Sequence, residues 1–209
     1  MKKLILGIAM VSTTLAFAQT AKPTTSSSSV RFGVKAGMNV SSLSKDEGLD
    51  DQKSKIGFNA GVFASIPVAA SFTVQPEILY SQYGSKADYS EKGIKFSSAT
   101  NLDYITVPVM LQYNFVPNFY VEAGPEFGLM VSAKNKVKNE SNGASVTSDN
   151  FKDELNTFNF GVGIGAGYYF TDNIGVTARY VAGATDIFKE NNGDAVRNNT
   201  FQVGLAYKF

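Results

Sequence analysis

Between Arg31 and Phe209 the chain alternates apolar and polar residues with period two in eight separate stretches. The clearest is FNFGVGIGAGYYF (158–170). Gly161, Gly163, Gly165 and Gly167 share one parity; Phe158, Phe160, Val162, Ile164, Ala166, Tyr168 and Phe170 share the other. A helix repeats its faces every 3.6 residues and gains nothing from this spacing, whereas a strand sends alternate side chains to opposite sides. The other stretches lie at about 31–42, 56–66, 72–83, 104–115, 119–131, 174–184 and 200–209.

The connections between these stretches alternate in length. Short ones fall at 66–71, 116–118 and 171–173, long ones at about 43–55, 84–100, 132–157 and 185–198. An even number of strands with tight turns at one end and long loops at the other is the pattern of an outer-membrane barrel. Twenty-five of the 37 charged residues lie in the four long connections, so the apolar face carries no charge away from its ends. A soluble sandwich buries its apolar face; a lipid-facing barrel turns that face outward and encloses the polar one. Aromatic residues at strand ends (Phe32, Phe72, Tyr80, Phe115, Phe119, Phe170, Tyr207) favour lipid. The expected fold is all-β, an eight-stranded antiparallel transmembrane up-and-down β-barrel over 31–209.

Eight strands enclose a space that side chains fill. The glycines of 158–170 are therefore expected to make room for Tyr104, Met110, Tyr120, Met130, Arg179 and the inward glutamates. They are not a dinucleotide fingerprint, which needs a helix directly after its glycines. Pro76, Pro108 and Pro125 each remove a ladder hydrogen bond, and local bulges are expected there.

The first 18 residues, MKKLILGIAMVSTTLAFA, read as a secretory signal peptide, and 19–30 as a Ser/Thr-rich linker. No other stretch approaches the roughly 20 apolar residues of a spanning helix. Without cysteine there is neither a disulfide nor a lipid-anchoring Cys. Without Lys2 and Lys3 the chain carries 17 basic and 18 acidic residues, a balance that gives no reason to expect nucleic acid. Expected partners are outer-membrane lipid and the barrel assembly machinery. The second follows from the terminal FQVGLAYKF, whose Phe201, Val203, Leu205, Tyr207 and Phe209 resemble the C-terminal signal that directs such barrels to assembly. A barrel without free edges needs no oligomer, so a monomer is expected.

Five charges have the inward parity: Lys35, Glu77, Glu122, Glu126 and Arg179, at comparable depths on the first, third, fifth and seventh strands. Buried charges are costly unless paired. The sequence predicts Glu77 and Glu126 paired with Arg179 and Lys35, with Gln75, Gln112, Asn39 and Asn59 filling in. This reads as a structural plug, with an ion or proton path as the alternative. Enzyme chemistry is expected to be absent, because a chain without His and Cys cannot build Ser–His or Cys–His pairs. No cofactor or metal is expected; Asp46, Glu47, Asp50 and Asp51 lack EF-hand spacing.

RFGVKAGMNVSSL near the start, VQPEILYSQYG (74–84), YITVPVMLQYNF (104–115) and YVEAGPEFGL (120–129) together resemble the PorT-like outer-membrane β-barrel (porin family) domain, over about 30–209. The resemblance implies the barrel fold and the outer membrane; the namesake belongs to a protein-secretion and gliding apparatus. The expected function is a non-enzymatic integral barrel with a filled polar lumen and long surface loops, in an envelope-structural or surface-contact role. The loop 132–157 reads first as a solvated, mobile loop and, as the alternative, as a contact for lipopolysaccharide or a partner. Alternatives are a small porin-like channel, a component of a PorT-like secretion apparatus, a soluble ligand-binding barrel and an outer-membrane lipid enzyme.

Overall fold

A computed structural model describes residues 29–44, 52–91, 94–148, 150–189 and 194–209. The expected signal peptide, most of the linker and the acidic cluster at 46–51 lie outside the described residues. Among the described residues nine strands follow one another: β1 (Arg31–Leu43), β2 (Gln52–Ala69), β3 (Phe72–Glu91), β4 (Ile94–Val116), β5 (Phe119–Asn139), the short β6 (Ser145–Thr147), β7 (Phe158–Tyr169), β8 (Ile174–Gly183) and β9 (Asn198–Lys208). One 3₁₀ turn, Lys152–Glu154, lies between β6 and β7.

Every pairing is antiparallel. β1 to β5 pair in sequence, β5 continues to β7, then β8 and β9, and β9 returns to β1. Each of the eight long strands thus has a hydrogen-bonded neighbour on both sides, in a barrel-like sheet. Arg31 ties the β9–β1 seam, its guanidinium donating to the carbonyls of Phe209 and Asp172 at 3.1 and 2.9 Å.

The two parities separate as the alternation predicts. Val162 and Ile164 are 50% and 60% exposed, while Glu77 and Arg179 are each 1% exposed. The outer surface is a continuous apolar band, including Phe32, Met38, Ile56, Val62, Leu129 and Leu205, which only hydrocarbon can cover on this scale.

The connections depart from expectation in three places; in the first, β2 already begins at Gln52, inside the expected connection 43–55. Residues 84–100 are not a loop: β3 runs on to Glu91 and β4 begins at Ile94, with Glu91 and Ile94 paired. Likewise 132–139 continues β5, and β6 folds back on it. Apolar alternation marks a strand only where its two faces meet different solvents. Beyond the bilayer both faces are wet, so these segments keep the ladder with Ser, Thr, Asn and Lys in place of the apolar parity. Gly84 sits where the β3 extension begins, with φ +127°, a backbone conformation that side-chain-bearing residues seldom adopt.

No bulge marks Pro76, Pro108 or Pro125. Pro76 pairs with Val109 and Leu79 with Thr106 in one unbroken register, and Pro108 pairs with Glu126 in register with Leu111 and Ala123. The sheet skips the proline's missing donor without shifting. The irregularities lie nearer the barrel rims, between Ser54 and Asn59, Pro67 and Ala69, Asp103 and Tyr104, and Asn114 and Val116. Rims are where barrels commonly place bulges.

Candidate functional site

The lumen holds the chemistry. Around the sheet β1, β3, β5 and β8 are every second strand, and each contributes one charged side chain to a central cluster. Arg179 on β8 stands directly opposite Glu77 on β3. Its Nη1 and Nη2 donate to Glu77 Oε2 and Oε1 at 3.1 and 2.7 Å, and its Nε donates to Glu122 Oε1 on β5 at 2.7 Å. Lys35 Nζ on β1 lies 3.4 Å from Glu77 Oε1. Gln75 donates to Glu77 at 2.8 Å and Gln112 to Glu122 at 3.0 Å. Two cations thus meet two carboxylates in a water-excluded space, with the planar guanidinium bidentate on one of them. Charge-assisted geometry of this kind offsets the cost of desolvation.

A glycine makes the Arg179–Glu122 contact possible. Glu122, Gly165 and Arg179 are consecutive Cα partners across β5, β7 and β8. With no side chain on the middle strand, the guanidinium reaches over Gly165 to the carboxylate; a Cβ there would stand 3.1 Å from Glu122 Oε1. The neighbouring glycines act in the same way. A Cβ on Gly167 would fall 2.3 Å from the Tyr120 ring, and one on Gly163 would fall 2.8 Å from Met110 Cε. Gly128 on β5 does the same for Tyr104, at 3.2 Å. The glycines of 158–170 thus make room for Met110, Tyr120, Arg179 and Glu122, whereas Tyr104 takes its room from Gly128 of β5 and Met130 packs in the cluster at the far end.

The predicted pairing needs one correction. Glu122, not Glu126, shares Arg179 with Glu77. The Cα partner of Glu126 is Gly161, and that of Gly161 is Gly183, so no cation occupies its rung. Glu126 Oε1 instead accepts from the Tyr83 hydroxyl at 2.6 Å, and Gln202 donates to that hydroxyl at 3.2 Å. Glu126 Oε2 has no hydrogen-bond partner among the described residues. Asn39 and Asn59 also stand apart from the charges: Asn59 donates to Asn39 at 2.5 Å, and Asn39 donates to the carbonyls of Phe58 and Gln82.

Sequence reasoning missed two apolar layers that bracket the charges. At the tight-turn end, Phe63, Tyr120, Tyr169 and Ala206 form a floor, and Lys208 Nζ lies 3.6 Å from the Tyr169 ring centroid. At the long-loop end Leu43, Tyr83, Leu102, Tyr104, Met130 and Ala133 meet Leu155, Ile187 and Val196 from the loops. Asn156 donates to the carbonyls of Asp186 and Phe188 and locks these two loops together. The available signal was sparse: isolated apolar residues in otherwise polar connections. The terminal set Phe201, Val203, Leu205, Tyr207 and Phe209 points outward, at 43–67% exposure. Among the described residues no group of acidic side chains is placed to hold a metal.

Among solved structures the chain is similar to Ail, the attachment invasion locus protein of Yersinia pestis, with 16% identity, a TM-score of 0.47, and coverage of 86% of this chain and 98% of that one. Neisserial surface protein A is similar at 19% identity and TM-score 0.48, over 85% and 97%. The outer membrane protease OmpT of Escherichia coli is more distant, at 11% and 0.39, over 90% and 99%. No curated protein matches in sequence. The family described as outer membrane protein beta-barrel domain matches residues 17–189. With its apolar band turned outward and its charges enclosed, the chain belongs to this outer-membrane β-barrel family.

Proposed function

We propose that the protein is a closed, monomeric eight-stranded transmembrane barrel without enzymatic activity, whose filled lumen makes it an envelope-structural or surface-contact element. The observation that carries this reading is the Arg179 bridge to Glu77 and Glu122 across the lumen. A cluster of buried apolar side chains lies on each side of the bridge, which supports a filled lumen. The barrel anchors the chain, and the segments beyond the long-loop rim make the contacts.

Planar-bilayer recording tests the lumen. Reconstituted protein is expected to give no steady conductance, and a large, persistent open channel overturns the plug. The outward terminal set serves, on this reading, in recognition by the barrel assembly machinery. Deleting Phe209 is expected to lower the fraction reaching the outer membrane while sparing the refolded barrel in vitro. Equal delivery of the deleted and intact chains refutes that role.

A further inference from the structure

The extended hairpins form a sheet outside the bilayer, in the order β2, β3, β4, β5 and β6. Its two faces differ in charge. Cross-strand partners share a face, so the registers place Lys53, Lys86, Lys95, Lys134, Lys136 and Lys138 together. They lie on the side that, lower down the same strands, carries Ile78, Ile105 and Leu129 toward lipid. The opposite face, with Ala87, Phe96, Ser98 and Val137, carries no lysine on β3, β4 or β5 among the described residues; on β2 the inward Lys55 is buried and donates to the Tyr83 carbonyl. Two of the lysines are paired on their own face, Lys53 with Asp88 at 2.8 Å and Lys138 with Glu140 at 3.1 Å. Lys86, Lys95, Lys134 and Lys136 make no ion pair among the described residues.

We propose that this outward lysine face binds the phosphate groups of the phosphorylated glycolipid headgroups that surround the barrel in the outer leaflet. Two observations commit the face to this occupant. It continues the lipid-contacting surface upward, so whatever lies above the acyl chains beside β3–β5 meets Gln82, Asp103 and Ser132 and then these lysines. Its charge is also opposite to that of the headgroups. Lys86, Ala99 and Lys136 are successive Cα partners, which puts the two lysines on strands roughly 10 Å apart. The small Ala99 between them leaves a shallow seat, and Ser97 and Asn101 flank it as further donors. Both ammonium groups can converge on one phosphate there.

The inference rests on the proposed membrane-spanning reading, with the long connections outside the cell, and its test separates the two. Folded protein in uncharged detergent is titrated with phosphorylated lipid A, with dephosphorylated lipid A and with inorganic phosphate. Binding is expected for the phosphorylated lipid only, weakening steeply with salt. The variant Lys86→Gln/Lys134→Gln/Lys136→Gln is expected to bind at least about tenfold more weakly, since each charge-assisted contact is strong. Asp88→Asn/Glu140→Gln, which removes competing carboxylates and leaves every lysine, is expected to bind more tightly. Equal affinity for the two lipids, or equal affinity of the lysine variant and the parent, overturns the proposal. Inorganic phosphate binding as tightly as the lipid also overturns it. Surface proteolysis of the 84–100 hairpin on intact cells reads the orientation independently: a protected hairpin would fail the functional reading, whatever the detergent titration shows.

Discussion

Arg179 and Glu77, from strands on opposite sides of the barrel, are joined by two hydrogen bonds of 3.1 and 2.7 Å, with both residues 1% exposed. A side-to-side bridge in so narrow a space does the work of a tie between walls. Its removal is the most direct test of what holds the barrel's interior.

Arg179→Met leaves Glu77 and Glu122 with Lys35 as their one cation in the cluster. Breaking a buried pair from one side typically costs about 3–5 kcal/mol, because the orphaned charge remains. Urea unfolding of the barrel in lipid vesicles is expected to show a loss of that size. Glu122→Gln in the same background is expected to restore part of it; a double variant no more stable than Arg179→Met alone contradicts the shared pairing.

Gly167→Ala brings a methyl group against the Tyr120 ring, from which an ideal Cβ stands 2.3 Å. Overpacking of this kind costs about 1–3 kcal/mol. Tyr120→Leu, itself a loss from the floor, is expected to make the glycine replacement nearly neutral. The measurement is a double-mutant cycle on unfolding midpoints, and additive effects would show that the two positions do not meet.

Tyr83→Phe removes the one donor that Glu126 has among the described residues, where its Oε2 is already without a partner. A buried acceptor left unsatisfied costs about 1–3 kcal/mol. Glu126→Gln in the Tyr83→Phe background is expected to recover stability, because a neutral amide never brings a charge into the buried site. Unchanged stability of Tyr83→Phe would mean that Glu126 finds another donor.

Outside the bilayer, hydrogen bonds from Lys53 and Ser97 hold the Asp88 carboxyl below the usual carboxylate range, with the Lys53 charge acting in the same direction. The folded-state value is therefore depressed. The pair's contribution is present above the ordinary carboxylate value and is lost as pH falls through the lowered one. Titration of the Asp88 carboxyl by NMR is expected to show this depression in the parent and a rise toward the ordinary value in Lys53→Gln.

What the sequence revealed, and what it concealed, divides along physical lines. Which side of each strand meets lipid depends only on parity, so Val162 and Ile164 were readable as outward and Glu77 and Arg179 as inward. Which inward residues touch depends on the stagger between strands, which parity does not encode. Glu122 and Glu126 are both inward and four residues apart, yet only Glu122 shares a rung with Arg179, across Gly165. The strands at 84–91 and 132–139 were hidden because no apolar stripe is needed where both faces are wet. Leu155, Ile187 and Val196 were hidden because loop residues that cap a lumen have no period at all.

From Phe72 with Tyr113 to Glu91 with Ile94, β3 and β4 keep a single register through the membrane and past it. The hairpin therefore has no swivel at the water boundary. Its outermost described pair, Glu91 with Ile94, stands about 23 Å beyond Gly84, measured along the strand at roughly 3.3 Å per residue, at an orientation dictated by the tilt of the buried wall. Whatever engages that mast from outside is met at a preset height and angle, and a pull on the tip loads the same ladder that lines the wall.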